Sequence, residues 1–142
     1  MIILDTNVIS EIMKAPAQRS ATVYAWVRSF DPQVLFTTIL SFAETMAGVE
    51  ILPEGQRKQT FRAVAERVYT EVFEARLLPF DELAARHYAV IVAQRRRQGR
   101  RISPIDGQIA GIARARGMRV ATRNAGDFAE CGIAVVDPWA AA

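Results

Sequence analysis

The chain has 142 residues, of which 51% are hydrophobic and 23% are charged, and its formal net charge is +3. This composition is typical of a soluble globular protein, and the length predicts a single domain over residues 1–142. The apolar runs fall far short of the ~20 residues that cross a bilayer, and no charged segment precedes an apolar one at the start, so we expect a cytoplasmic protein.

Short apolar runs rich in β-branched residues alternate with longer segments of helical periodicity. In chain order we predict a strand at 2–4, helices at 8–13 and 21–30, a strand at 34–37, helices at 42–51 and 56–73, a strand at 77–80, helices at 81–97 and 105–116, and strands at 119–122 and 133–136. The strands do not alternate with polar residues, so we expect both of their faces to be buried. The pattern predicts a three-layer α/β/α sandwich around a mostly parallel five-stranded sheet.

The lone cysteine and the lone histidine limit the possible chemistry. Cys131 has no partner for an internal disulfide, and His87 cannot build a nitrogen-rich zinc site. We expect both to be packed structural residues. A bound metal would therefore need oxygen ligands.

Four acids stand where predicted strands lead into helices, namely Asp5, Glu44, Asp106 and Asp127. Ligands of parallel α/β sheets bind at this edge, beyond the carboxyl ends of the strands. Carboxylates that converge ~4 Å apart would repel by on the order of 4 kcal/mol per pair at a dielectric of about 20, so such a cluster favours a cation. Oxygen ligands indicate Mg²⁺ or Mn²⁺, and that combination suggests phosphodiester hydrolysis by a metal-activated water.

Each acid, considered alone, also has an ordinary structural explanation. Asp5 could cap the helix that follows it, and Ser41 with Glu44 fits a capping box. Ser103 and Asn124 stand at N-cap positions before the other two acids, which would then complement the helix dipole.

Residues 95–101, RRRQGRR, hold five arginines in seven positions. They could form a solvated helix end, where cations complement the helix dipole. They could instead follow RNA phosphates beside the site, or bind acidic groups of a partner. The candidate contact residues are Arg95, Arg96, Arg97, Arg100 and Arg101.

Four motifs in order resemble those of PIN-domain ribonucleases, specifically the VapC-type or FitB-like toxins of bacterial type II toxin–antitoxin systems. They are MIILDTNVIS, TILSFAETMAGVE, SPIDGQIAGIARARG and VATRNAGDF, and the resemblance covers essentially the whole chain. It implies a PIN-like fold and an endoribonuclease that depends on Mg²⁺ or Mn²⁺. It also implies inhibition by a cognate antitoxin, a homodimer, and an assembly with the antitoxin on operator DNA.

The resemblance also implies roles for individual residues. The acids that hold the catalytic cation would be Asp5, Glu44 and Asp106, with Asp127 as a less constant fourth. The polar residues that support them would be Thr6, Asn7, Thr122 and Asn124. Gly107 departs from the alanine or larger residue common in the family, and a glycine there predicts a helix weaker by ~1 kcal/mol.

Two other functions remain open from the sequence. Phosphatases of the haloacid-dehalogenase kind also begin with an apolar strand that ends in aspartate, but they need a second aspartate two residues later, where this chain has Asn7. The other alternative is a non-catalytic partner within a DNA-bound repressor complex.

Overall fold

The computed structural model describes residues 1–141, which form five strands and six α-helices. The strands are β1 (Ile2–Leu4), β2 (Leu35–Thr38), β3 (Leu77–Leu78), β4 (Arg119–Ala121) and β5 (Val135–Val136). The helices are α1 (Thr6–Met13), α2 (Ala21–Arg28), α3 (Ile39–Ile51), α4 (Gln56–Arg67), α5 (Glu82–Arg97) and α6 (Pro104–Arg116). No helix in these residues is long and apolar enough to cross a membrane.

The strands form one parallel sheet in the order β3-β2-β1-β4-β5, which confirms the predicted fold class. Ile3 of the central strand pairs with Phe36 on one side and with Val120 on the other. After β1, the chain adds β2 and β3 on one side of it and then adds β4 and β5 on the other side. The carboxyl end of β1 is therefore the point where the topology switches, which is where such sheets bind ligands.

Two hydrophobic clusters cover the two faces of the sheet. Ile3 packs with residues of α5 and α6, including Ile91 and Ile109. Ile2 and Leu4, which point to the other face, pack with residues of α1, α2 and the segment after α4. This alternation produces the predicted three layers. Cys131 is fully buried, as expected, whereas His87 is only half-buried.

The observed elements differ from the predicted ones mainly at their ends. The edge strand β5 is only half-buried, because no strand covers its outer side. The predicted helix at 56–73 is interrupted, since α4 ends at Arg67 and Val68–Val72 form a π-helical turn. Its characteristic bond runs from the Phe73 N–H to the Val68 carbonyl, at 3.1 Å.

The capping box predicted at Ser41 and Glu44 is wrong. Helix α3 begins earlier, because Thr38 at the end of β2 is its N-cap, and the Thr38 hydroxyl accepts a hydrogen bond from the Ser41 N–H at 3.1 Å. Ser41 is therefore a buried first-turn residue. Glu44 lies one turn further along the helix and is exposed.

Helices α5 and α6 approach closely at two glycines of α6. A Cβ atom on Gly107 would lie 2.9 Å from Cε2 of Tyr88, and one on Gly111 would lie 2.6 Å from the Ala84 carbonyl oxygen. Gly107 therefore lies against the Tyr88 ring, a contact that helix propensity alone does not predict, and Gly111 lies against backbone. The close contact positions the first turn of α6, where Asp106 lies.

We expect Gly111→Ala to lower the free energy of unfolding by about 1–3 kcal/mol, because the added methyl would meet backbone rather than a flexible side chain. Gly48→Ala in α3 is the matched control, since its Cβ meets no atom within 4 Å. Helix propensity predicts that this control is stabilised by about 0.5–1 kcal/mol. Urea unfolding of both variants measures the difference, and equal stability would contradict the packing role of Gly111.

Candidate active site

Asp5 lies at the carboxyl end of β1 and is only 5% exposed. Its N–H continues the sheet by donating to the Ala121 carbonyl at 3.0 Å. Its Oδ1 caps α1 by accepting a hydrogen bond from the Thr6 N–H at 2.8 Å. The capping explanation is therefore correct for one carboxylate oxygen, and Oδ2 has a different set of partners.

The second oxygen of Asp5 belongs to a network that joins β1 to the end of β4. The Thr122 hydroxyl donates to Oδ2 at 2.7 Å, and Asn7 Nδ2 lies 3.4 Å from the same oxygen. The Thr122 hydroxyl in turn accepts from Asn7 Nδ2 and from the Asn124 N–H, both at 3.1 Å. With both acceptor positions filled, that hydroxyl must donate its proton to Asp5.

Glu44 reaches the same region from α3. The Thr6 hydroxyl donates to its Oε1 at 2.7 Å, so Thr6 contacts two of the predicted acids, Asp5 through its N–H and Glu44 through its side chain. Thr45, the next residue, is buried, and its hydroxyl is 2.9 Å from the hydroxyl of Tyr69 in the π-helical turn. This contact holds the back of α3 while Glu44 remains accessible at the front.

Asp106 lies in the first turn of α6. Ser103 is the N-cap, as predicted, and its hydroxyl accepts from the Asp106 N–H at 3.2 Å. The carboxylate is half-buried, and burial raises its pKa, with a further increase from the nearby charge of Asp127. Asp127 itself is exposed in a short 3₁₀ turn, Ala125–Phe128, that follows β4. Asn124 stands at the N-cap position of this turn, but its side chain makes no capping hydrogen bond.

Three of the four acids border one cleft of about 240 Å³ at the switch point of the sheet. The lining residues are Asp5, Thr6, Asn7, Ser10, Glu44, Asp106 and Asn124. The lining includes no lysine or arginine, while Asp127 stays outside it and acts on Asp106 through its charge. Ser10 was not predicted, although it stands four residues after Thr6 in α1 and so shares its helix face.

The cleft offers only oxygen and amide groups to a ligand, and such donors fit Mg²⁺ or Mn²⁺. Within residues 1–141 there is no group of three or more His, Cys, Asp or Glu side chains already gathered closely enough to form a metal cluster.

The sequence pattern of the PIN domain family matches residues 2–133. The chain belongs to this family. Membership of the PIN family argues against a haloacid-dehalogenase-like phosphatase, which the asparagine at position 7 already disfavoured.

Two relatives match this PIN-domain chain along nearly its whole length. VapC ribonuclease Y4jK of Sinorhizobium fredii is 38% identical over 139 residues, with 98% of both chains covered. Toxin FitB of Neisseria gonorrhoeae is 37% identical over 139 residues, with 98% of this chain and 99% of the relative covered. A solved structure of FitAB bound to an IR36 DNA fragment superposes with a TM-score of 0.90 at 37% identity, covering 98% of this chain and 96% of that one.

The arginine segment of this PIN domain divides into one buried and four exposed residues. Arg95 is only 4% exposed, and its guanidinium donates to the carbonyls of Arg100 at 2.8 Å and Ala129 at 2.5 Å. The prediction that Arg95 contacts RNA or a partner is therefore wrong, because its donors tie the end of α5 to the loop after Asp127. The exposed residues are Arg96, Arg97, Arg100 and Arg101.

Asp5 has an unusual proton affinity for an aspartate. Burial is the main cause and raises its pKa from 3.8 to about 6. The hydrogen bonds from Thr122 and Thr6 oppose this change, and the charges of Asp106 and Glu44 add to it. The cleft thus holds a carboxyl group that changes charge near pH 6.

In metal-free buffer, Asp5 is expected to make folding less favourable as the pH rises. The folded state binds more protons than the unfolded state between pH 3.8 and about 6, so the unfolding free energy falls across that range. Relative to that of Asp5→Asn, we expect the free energy of unfolding of the wild type to fall by on the order of 3 kcal/mol between about pH 4 and about pH 7.

Urea unfolding in EDTA at several pH values tests this prediction. Loss of the Thr122 hydrogen bond in Asp5→Asn adds an offset at every pH, so the slope of the difference is the relevant measurement. Asp31→Asn, an exposed acid outside the cleft, controls for the loss of one carboxylate. A difference that does not vary with pH would contradict the raised pKa of Asp5.

Proposed function

We propose that this PIN-domain protein is a Mg²⁺- or Mn²⁺-dependent endoribonuclease and the toxin of a toxin–antitoxin pair. The observation that carries the proposal is the cleft that Asp5, Glu44 and Asp106 border without a neutralising side chain. A divalent cation would balance these charges and attract the phosphate of a substrate. The RNA and the antitoxin would meet the protein in the cytoplasm.

In this proposal Asp5, Glu44 and Asp106 hold the cation directly, and Asp127 adds negative charge from outside the cleft. The bound ion would supply a polarised water and would shield the charge that develops on the phosphate oxygens. The chain offers no lysine or histidine in the cleft to act as a base in its place.

The residues with hydroxyl and amide groups around the acids position the carboxylates of Asp5 and Glu44. Thr6 and Thr122 fix the two oxygens of Asp5, and the Thr6 hydroxyl fixes Oε1 of Glu44. A carboxylate oxygen with one such bond keeps a lone pair that can bind a cation. Asn7 and Asn124 direct the Thr122 proton toward Asp5 by occupying its acceptor positions. Such supporting hydrogen bonds orient metal ligands and tune their basicity.

The names of the relatives support the biological part of the proposal. One is named a VapC ribonuclease, another is named toxin FitB, and the solved structure is of FitAB on a DNA fragment. By analogy we propose a cognate antitoxin for this chain, a homodimer, and an assembly of toxin and antitoxin on operator DNA. A chain that acts only within such an assembly, without cleaving RNA, is the alternative that the next experiment tests.

We expect the purified protein to cleave RNA in the presence of Mg²⁺ and Asp106→Asn to lower the cleavage rate by a factor of at least about 100. Asp106→Asn is preferable to a change at Asp5, because Asp5 is buried and also accepts the bonds that cap α1 and join β1 to Thr122, whereas Asp106 is only half-buried. Glu74→Gln, an exposed acid on the short turn before β3, is the matched control and should cleave normally. Equal cleavage by wild type and Asp106→Asn would contradict the assignment of the site.

Metal binding has a readout that does not depend on activity. MnCl₂ should raise the thermal midpoint of the wild type, because a ligand bound only by the folded state stabilises it. The increase should be larger at pH 7.5 than at pH 5, since Asp5 must lose its proton to bind a cation. Differential scanning fluorimetry measures this effect, and an unchanged midpoint at both pH values would argue against a cation in this cleft.

The exposed arginines are proposed to follow the RNA backbone. Arg96 and Arg101 border a depression of about 420 Å³ together with Ile102, which directly precedes the cap of α6. Replacing both arginines by alanine should weaken RNA binding and reduce the salt slope by about 0.7 for each phosphate that the protein no longer neutralises. Fluorescence anisotropy across a salt series measures the slope.

A double control removes the same charge elsewhere on the surface. Arg67→Ala with Arg86→Ala removes two exposed arginines from other positions on α4 and α5. If both double variants change the slope equally, the effect reflects net charge, and Arg96 with Arg101 would belong to an ordinary solvated helix end.

A further inference from the structure

A second cleft of about 330 Å³ adjoins the acidic one. Thr6, Ser10 and Glu44 border both clefts, so the two clefts adjoin at these residues. On its far side the second cleft is bordered by Arg57 and Phe61 of α4. A chain lying across the acidic cleft could therefore extend directly onto α4.

Arg57 and Phe61 stand four residues apart on α4 and so share one face of the helix. Phe61 is 40% exposed and borders the second cleft. We call this pair the Arg57–Phe61 shelf.

The charge of Arg57 is not used within the fold. Two other cations of α4 are paired, since Lys58 lies 2.6 Å from Glu54 and Arg62 lies 2.6 Å from Glu50. Within residues 1–141, Arg57 has no carboxylate within 4.0 Å. An exposed arginine beside an exposed ring is a typical platform for single-stranded nucleic acid.

We propose that the Arg57–Phe61 shelf binds the nucleotide next to the scissile phosphate. Phe61 stacks on its base, and Arg57 pairs with its phosphate through a bidentate contact that lysine cannot make. This inference rests on the proposed ribonuclease function.

The proposal also resolves an electrostatic problem of the cleft. The carboxylates that would hold a cation repel the neighbouring phosphates of an RNA strand, and none of the residues that line the cleft is basic. Arg57 supplies a positive charge at the adjoining position. Because this contact lies beside the reacting phosphate and is made equally in the bound substrate and in the transition state, its loss affects KM more than kcat.

The test is cleavage of a short single-stranded RNA in Mg²⁺, with KM and kcat measured separately. We expect Phe61→Leu and Arg57→Ala each to raise KM about tenfold with little change in kcat. Phe61→Tyr should restore binding because it retains the ring, while Arg57→Lys should restore it only partly. Arg67→Ala, on the same helix but outside both clefts, is the matched control.

A second arm identifies the stacking contact. An abasic nucleotide is placed in turn at each position flanking the cleaved bond. At one position it should raise the KM of the wild type about tenfold and leave that of Phe61→Leu unchanged, because the variant already lacks the ring on which that base stacks. A purely structural role of Phe61 would give the same penalty in both proteins at every position.

The outcomes separate this inference from the proposed function. If the wild type cleaves RNA and KM is unchanged in Arg57→Ala and Phe61→Leu, the shelf proposal is wrong and the ribonuclease proposal stands. If the wild type does not cleave, anisotropy with the same RNA in EDTA decides: about tenfold weaker binding by both variants supports the shelf, and unchanged binding overturns it. A change of oligomeric state in Phe61→Leu, measured by light scattering, would also overturn it by making Phe61 a subunit contact.

Discussion

The hydrogen bond from the Thr122 hydroxyl to Asp5 is the contact on which the site depends. It allows a carboxylate to lie 5% exposed at the end of a central strand, a position where burial disfavours a charge. Strand β1 cannot move to expose the Asp5 carboxylate to solvent, because it is paired on both sides and packed on both faces. The fold therefore keeps a costly group in place, as is common where a group serves chemistry rather than stability.

The site exists only when the sheet is complete. Thr122 and Asp5 are 117 residues apart in the sequence, and Thr6 and Glu44 are 38 apart, yet both pairs meet at the same sheet edge. The strand order brings them together, because β2 and β4 are the two neighbours of β1. Folding and assembly of the acids are thus one event, and errors in strand pairing would disperse the cleft as well as expose the core.

The sheet and three members of the acidic cleft could be predicted from sequence. Apolar runs mark the strands and N-cap residues mark the helix starts, and these local patterns do not depend on how the elements pack. The start of α3 was predicted wrongly, since Thr38 and Ser41 both suit an N-cap and only the end of β2 decides between them. Arg95 was assigned to the surface because a run of arginines does not reveal which one meets buried carbonyls. Arg57 and Phe61 carry no motif, and their position beside Glu44 follows from the packing of α4 against α3.

The π-helical turn after α4 makes the protein sensitive to chain length at a place distant from the acids in sequence. The turn contains Tyr69, whose hydroxyl lies 2.9 Å from that of Thr45, directly behind Glu44. Deleting one residue from Val68–Val72 would restore an ordinary helix and rotate the residues after the deletion by roughly 100° relative to α4, so Tyr69 and the chain that follows it could not both keep their positions. A substitution at the exposed Thr70 or Glu71 changes neither the count nor this rotation. Insertions and deletions, more than point substitutions, are therefore the changes in this segment that would reach the active site.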